Sequence, residues 1–198
     1  MTSILVVCTG NICRSPIAEG FLRSILTARF GARAPEVSSA GTAGWEGSAA
    51  MEDAVQAATE REIDITGHVA QKLAGSMVTR ADLVVCMAAE HRSDILRADP
   101  GAEPKVFTLK ELVRVLDALE PAAGSDPREL PARVAQAGAK RASGFVGNPL
   151  DEDIADPMGQ PLEAYRAIAW ELDTWCGRLA DGLFGKAPVP TGIVGAGD

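Results

Sequence analysis

The stretch Cys8-Thr9-Gly10-Asn11-Ile12-Cys13-Arg14-Ser15-Pro16 gathers the side chains best suited to chemistry on an anion. A cysteine, five residues, an arginine and a serine place a sulfur nucleophile and a planar fork of donors in one tight turn. Gly10 lets the backbone fold over, so that successive N–H groups can converge as a nest. The helix that follows adds unpaired N–H groups and a partial positive charge. A thiolate at Cys8 would face a cradle for a tetrahedral oxyanion, the arrangement that nucleophilic attack on phosphorus requires.

The elements that must hold this loop are legible on either side of it. Ile4-Leu5-Val6-Val7 is an apolar run of the kind that forms a buried parallel strand. Ala18, Phe21, Leu22, Ile25 and Leu26 keep helical spacing behind the loop, to about Gly31. Ser15 fits the N-cap of that helix and Pro16 its first position, where a missing N–H costs nothing.

The nine-residue string, between a buried strand and a helix, closely resembles the active-site loop of the low-molecular-weight protein tyrosine phosphatases. The resemblance implies that Cys8 is the nucleophile and Arg14 the oxyanion clamp. Thr9, Gly10, Asn11, Ile12, Cys13, Arg14 and Ser15 would line the phosphate-binding loop. It further implies that Asp156, in the Asp156-Pro157 pair ahead of the last helix, is the general acid. Ser39 would bond Asn11 and hold it in a left-handed conformation, which asparagine tolerates. The same residue could equally be an ordinary strand-end serine. His68 would support the loop from behind rather than act as a base. Trp45 would wall the substrate cleft; covering the second helix is the alternative. Cys13 could pair reversibly with Cys8 or be a small buried residue. Where the family commonly has an aromatic after Asp-Pro, this chain has Met158, so that wall of the cleft is weakened. Neither a metal nor another cofactor is implied, because Arg14 and the loop dipoles supply the positive charge.

The rest of the 198 residues suits one domain with a sizeable core, over residues 1–184. A net charge of −8 argues against nucleic acid or an anionic membrane as partner. No apolar run reaches membrane-spanning length, and no signal peptide is apparent at the N-terminus. Cys8, Cys13, Cys86 and Cys176 match no zinc spacing and suggest no disulfide scaffold; a reducing cytoplasm is the expected setting.

Strand patterns recur at 36–40, 81–87 and 105–107, with a helix expected from about Ser48 to Arg61. Glu90-His91-Arg92 opens another helix and is similar to the family. Thr108-Leu109-Lys110-Glu111 forms a capping box ahead of Leu112, Val113, Leu116 and Leu119. Residues 120–148 read as an insertion with a helix near Arg128–Arg141, whose Arg133, Lys140 and Arg141 would mark a solvated face. A final helix is expected from about Pro161 to Leu183, with Tyr165, Trp175 and Cys176 on its core stripe. Residues 185–198 read as a mobile tail.

Alternating strands and helices make the sheet parallel, with helices on both faces. With the resemblance, the expected fold is an α/β three-layer sandwich, phosphatase I-like, with a four-stranded parallel sheet in the order 2-1-3-4. The expected function is hydrolysis of a phosphotyrosine protein or small aryl phosphate through a phosphocysteine. Two rivals use the same cradle. One is arsenate reduction with Cys13 or an external thiol; the other is a non-catalytic oxyanion-binding regulator.

Overall fold

A computed structural model describes residues 1–122, 126–145, 148 and 151–186. Residues 187–198 of the expected tail lie outside the described residues, as do 123–125, 146–147 and 149–150 of the expected insertion.

Four strands form one parallel sheet: β1 (Ser3–Cys8), β2 (Glu36–Gly41), β3 (Leu83–Cys86) and β4 (Val106–Thr108), in the order β2-β1-β3-β4. All three strand pairs are parallel, with Cys8 opposite Gly41 and Val7 opposite Cys86. β1 is central because its side chains are apolar on both faces. Ile4 and Val6, with Leu83, Val85 and Phe107, pack toward α1 (Arg14–Phe30), α2 (Glu52–Thr59) and two later helices, α5 (Leu109–Asp117) and α7 (Leu162–Phe184). Leu5 and Val7, with Val84 and Cys86, pack against Val78 of α3 (Gly75–Arg80) and Ile95 of α4 (Ala89–Ala98). The chain reverses its winding direction between β2 and β3. The carboxyl end of β1 therefore opens at a topological switch point, where such sheets bind ligands.

Several local expectations need correction. α1 begins at Arg14 with Cys13 as its N-cap residue, so Ser15 does not cap it and Pro16 is its third residue. The physical reason is that the Ser15 hydroxyl is recruited into the loop, and a proline anywhere in the first turn lacks only an N–H that has no helical partner. α2 starts four residues later than Ser48. Ala49 forms an antiparallel bridge with Val69, and the Ala70 N–H donates to the Ser48 carbonyl, which keeps this stretch extended. The Thr108–Glu111 capping box forms as expected, with both reciprocal bonds present.

The helix expected near residues 128–141, α6 (Leu130–Ala142), does not present its arginines to solvent. Arg133 is buried and donates to the Gly182 and Glu120 carbonyls at 3.0 Å each. Arg141 lies 4.0 Å from the centre of the Phe107 ring and donates to the Val106 carbonyl at 2.9 Å. β4 is the last strand of the sheet, so this guanidinium covers part of an otherwise unpaired edge. Trp175 is only partly buried on α7; Arg178 stacks on its ring at 4.4 Å.

Candidate active site

The loop 9–13 is shaped by its carbonyls. Thr42, Ala43 and Trp45 donate their N–H groups to the carbonyls of Cys8, Thr9 and Gly10, at 2.9, 3.0 and 3.0 Å. The Met51 and Ile17 N–H groups donate to the carbonyls of Ile12 and Cys13. His68 Nε2 lies 2.7 Å from the Asn11 carbonyl, which can only accept, so Nε2 carries the proton. All six carbonyls from Cys8 to Cys13 are thus engaged outside the turn. Because a trans peptide points its N–H opposite its C=O, the N–H groups of residues 9–14 face inward. Gly41 makes the strap possible: a Cβ there would come within 2.5 Å of the Thr9 carbonyl oxygen.

Asn11 sits at the turn with φ of 58°, the left-handed region. Its fully buried amide uses every polar atom. Nδ2 donates to Ser15 Oγ at 2.9 Å and to Ser39 Oγ at 2.8 Å, while Oδ1 accepts from the Gln71 N–H at 2.9 Å. Ser39 in turn donates to Glu19 Oε2 at 2.5 Å. The Ser15 hydroxyl accepts from Asn11 and keeps its own proton for Cys8 Sγ, 2.9 Å away. The Asn11 N–H approaches the same sulfur at 3.3 Å. The Ser15 hydroxyl and the Asn11 N–H thus converge on Cys8 Sγ at the end of β1.

Arg14, also buried, spreads its fork across the mouth of the cradle. Nη1 donates to the Ile154 carbonyl at 3.1 Å; Nη2 donates to Asp156 Oδ2 at 2.6 Å and to Thr9 Oγ1 at 3.3 Å. The acid-bearing segment is itself tied down. Asp153 Oδ1 accepts from the Ala89 N–H at the start of α4, and the Ile154 N–H donates to the Met87 carbonyl just past β3. Lys110 Nζ donates to the Asp153 carbonyl and to Asp151, both at 2.9 Å, and pairs with Glu171 at 2.7 Å. Burial pulls the Lys110 pKa down, but Glu171 and Asp151 outweigh it and leave it above the ordinary lysine value. Asp156 Oδ1 accepts from the Met158 N–H at 3.1 Å in a tight turn.

Cys8 lies at the bottom of the cradle, 2% exposed, while Asp156, Met158 and Trp45 stand at its rim. Trp45 lies against the loop: a Cβ on Gly10 would come within 3.8 Å of its Cδ1. The ring is about half exposed. Cys13 Sγ is 4.0 Å from the Tyr165 hydroxyl. Burial, reinforced by the neighbouring Cys8, outweighs that contact and pushes the Cys13 thiol up to about 11. Burial likewise pushes the Cys86 and Cys176 thiols well above the ordinary range.

Four contributors escape a sequence reading: Glu19, Gln71, His91 and Lys110. Gln71 acts through its backbone and leaves no residue-type signal. Glu19 lies in the second turn of α1 and Lys110 in the first turn of α5, both within amphipathic patterns where a charged residue reads as solvated. A cavity of about 690 Å³, lined by Leu116, Arg133, Arg178 and Gly185, contains none of the loop residues.

A cysteine sulfur in an amide nest at the carboxyl edge of an open α/β sheet, with a buried arginine and a carboxyl beside it, is suited to cysteine-dependent phosphoryl transfer. The chain belongs to the low molecular weight phosphotyrosine protein phosphatase family, whose sequence model matches residues 3–137. It is 42% identical over 112 residues to the probable low molecular weight protein-tyrosine-phosphatase EpsP of Ralstonia solanacearum, covering 56% of this chain and 72% of that one. It is 34% identical over 180 residues to a protein-arginine-phosphatase of Geobacillus stearothermophilus, covering 91% and 95%. Among solved structures, the Erwinia amylovora tyrosine phosphatase AmsI matches with a TM-score of 0.68 at 25% identity, over 92% of this chain and 93% of that one. The YwlE arginine phosphatase of Geobacillus stearothermophilus matches with the same TM-score and coverage at 34% identity.

Proposed function

We propose that residues 1–184 form one catalytic unit that hydrolyses phosphotyrosine in proteins, and small aryl phosphates, in two steps through a phosphocysteine. The observation that carries this reading is the convergence of the Cys8 sulfur, the Arg14 guanidinium and the Asp156 carboxyl on one amide-lined turn.

In the first step the Cys8 thiolate attacks phosphorus in line with the ester oxygen. The S–P bond forms as the P–O bond to the leaving group breaks. Arg14 and the N–H groups of residues 9–14 hold the nonbridging oxygens, where negative charge persists in the transition state. The phosphoryl group takes the place of Asp156 on the Arg14 guanidinium, and Asp156, protonated in that complex, gives its proton to the departing phenolate oxygen. In the second step Asp156, now a carboxylate, takes a proton from water as that water attacks phosphorus. The Ser15 hydroxyl stabilises the sulfur as it leaves. Trp45 and Met158 would flank the substrate's ring, the methionine through its polarisable sulfur.

A second reading concerns the substrate alone. The protein-arginine-phosphatase relative overlaps 91% of this chain, and Met158 stands where an aromatic wall would favour a phenol ring. A phosphorylated arginine side chain is therefore the competing substrate. Turnover of a phosphotyrosine peptide beside a phosphoarginine peptide of the same sequence separates the two; a higher kcat/KM for the phosphoarginine peptide overturns the first reading. Arsenate reduction relayed by Cys86 or Cys176 is disfavoured because both are fully buried and cannot carry an oxidation outward, which leaves that chemistry only Cys13 or an external thiol. Four free thiols are in keeping with a reducing, cytoplasmic setting. Among the described residues no helix is long and apolar enough to cross a membrane.

A further inference from the structure

His91 stands in the first turn of α4, 1% exposed, with its Nε2 2.9 Å from Thr9 Oγ1. Thr9 Oγ1 also accepts from Arg14 Nη2, so a continuous chain runs from the imidazole to the oxyanion clamp. Burial and the Arg14 charge hold the ring neutral, with its pKa lowered to about 4. One nitrogen therefore carries a proton and the other does not.

Two observations decide which. His91 Nδ1 is buried and has no hydrogen-bond partner. A buried N–H without an acceptor is rarer than an unused acceptor, which argues for a bare Nδ1. The Glu90 carboxylate lies 3.4 Å from Nε2 and attracts a proton there. With Nε2–H donating to Thr9, both Thr9 lone pairs are occupied, one by His91 and one by Arg14. The Thr9 proton is then the one left free for an oxyanion. With the opposite tautomer, Thr9 would spend that proton on Nε2.

We propose that His91, as the neutral Nε2–H imidazole, is a positioning residue: it acts through Thr9 to fix the Arg14 guanidinium and to keep the Thr9 hydroxyl as a donor to the bound oxyanion. The role deepens the phosphatase reading and rests on it for its kinetic consequence, though not for its effect on anion binding. His91→Leu removes the donor. His91→Gln can return an N–H near the Nε2 position.

The test combines calorimetric binding of inorganic phosphate, kcat and KM for para-nitrophenyl phosphate, and nitrogen NMR of the wild-type imidazole. His91→Leu should weaken phosphate binding and lower kcat, each by about 10- to 100-fold, the scale on which small misplacements act. His91→Gln should recover to within about threefold of wild type. In the wild type, Nε2 should resonate as a protonated nitrogen and Nδ1 as a bare one. Should His91→Leu not fold, the wild-type tautomer and a Thr9→Val variant decide, the latter expected to show the same losses. An Nδ1–H tautomer overturns the proposal. So does a folded His91→Leu protein with wild-type phosphate affinity, or a His91→Gln protein as impaired as His91→Leu. Loss of phosphate binding in His91→Leu alongside a wild type inert toward aryl phosphates would overturn the phosphatase reading and leave the His91 role standing.

Discussion

Arg14 Nη2 lies 2.6 Å from Asp156 Oδ2, although 142 positions separate the two residues in the chain. The proposed clamp for the phosphoryl oxygens and the proposed acid for the leaving group are therefore in direct contact. The same guanidinium also holds the Ile154 carbonyl, two residues before the acid. Positioning one positions the other.

If Asp156 protonates the leaving oxygen, its removal must matter most when that oxygen is basic. Asp156→Ala should lower kcat for para-nitrophenyl phosphate by about 10²- to 10⁴-fold. The loss should be smaller for an aryl phosphate with a more acidic phenol. Steady-state rates across a series of phenols would check this. An equal loss for every leaving group would remove Asp156 from the acid role.

Asn11 uses its whole amide and sits in a left-handed conformation, so it has no neutral replacement. Asn11→Ala should orphan buried partners in Ser15, Ser39 and the Gln71 N–H, and destabilise the fold by about 1–3 kcal/mol. Turnover should fall as well, because the inward N–H groups lose their anchor. Urea unfolding read beside the activity of the folded fraction separates the two effects.

Lys110 lies outside the cradle and holds the segment leading to Asp156 through Asp151 and the Asp153 carbonyl, while Glu171 of α7 pairs with it from the other side of the contact. Lys110→Met should cost about 1–3 kcal/mol of stability through the charged bonds it loses. It should reduce kcat more than it raises KM for para-nitrophenyl phosphate, because the 151–156 segment is freed while Cys8 and the amide nest stay in place. A variant with reduced stability and unchanged kcat would show that the segment is held by its other bonds.

His91 gives a signed pH dependence. Its folded pKa is about 4 against an ordinary 6.5, so the unfolded chain binds the extra proton over that interval. Its contribution to stability is present above pH 6.5 and is lost as the pH falls from there through 4. Thermal midpoints at pH 7 and pH 4.5 should therefore converge when His91→Gln is compared with wild type. An unchanged gap between the two pH values would contradict a buried neutral ring.

Sequence reading reached far here because the chemistry is local. Cys8 to Pro16 carries the proposed nucleophile, clamp and turn in nine consecutive positions, and the expected sheet order comes from the family resemblance that this string carries. Position-specific support was harder to see. Ser15 reads as a cap until its hydroxyl is found on Cys8 Sγ. Gly75–Arg80 buries Val78 and only part of Met77, two adjacent residues that create no period. Arg133 and Arg141 look solvated until the partners that satisfy them, mostly backbone carbonyls remote in sequence, are known. His91 looks like one polar residue in a polar tripeptide, and only packing reveals its burial.

The central claim is a covalent phosphocysteine at Cys8, and trapping it is the most direct test. Wild-type protein and Asp156→Ala, mixed with labelled aryl phosphate and quenched in acid within milliseconds to seconds, would be digested and the labelled peptide sequenced. A phosphoryl group on Cys8, absent from Cys8→Ala and longer-lived in Asp156→Ala, is the expected result. Turnover that proceeds with no label on Cys8, or a Cys8→Ala protein that still hydrolyses the ester, would contradict it.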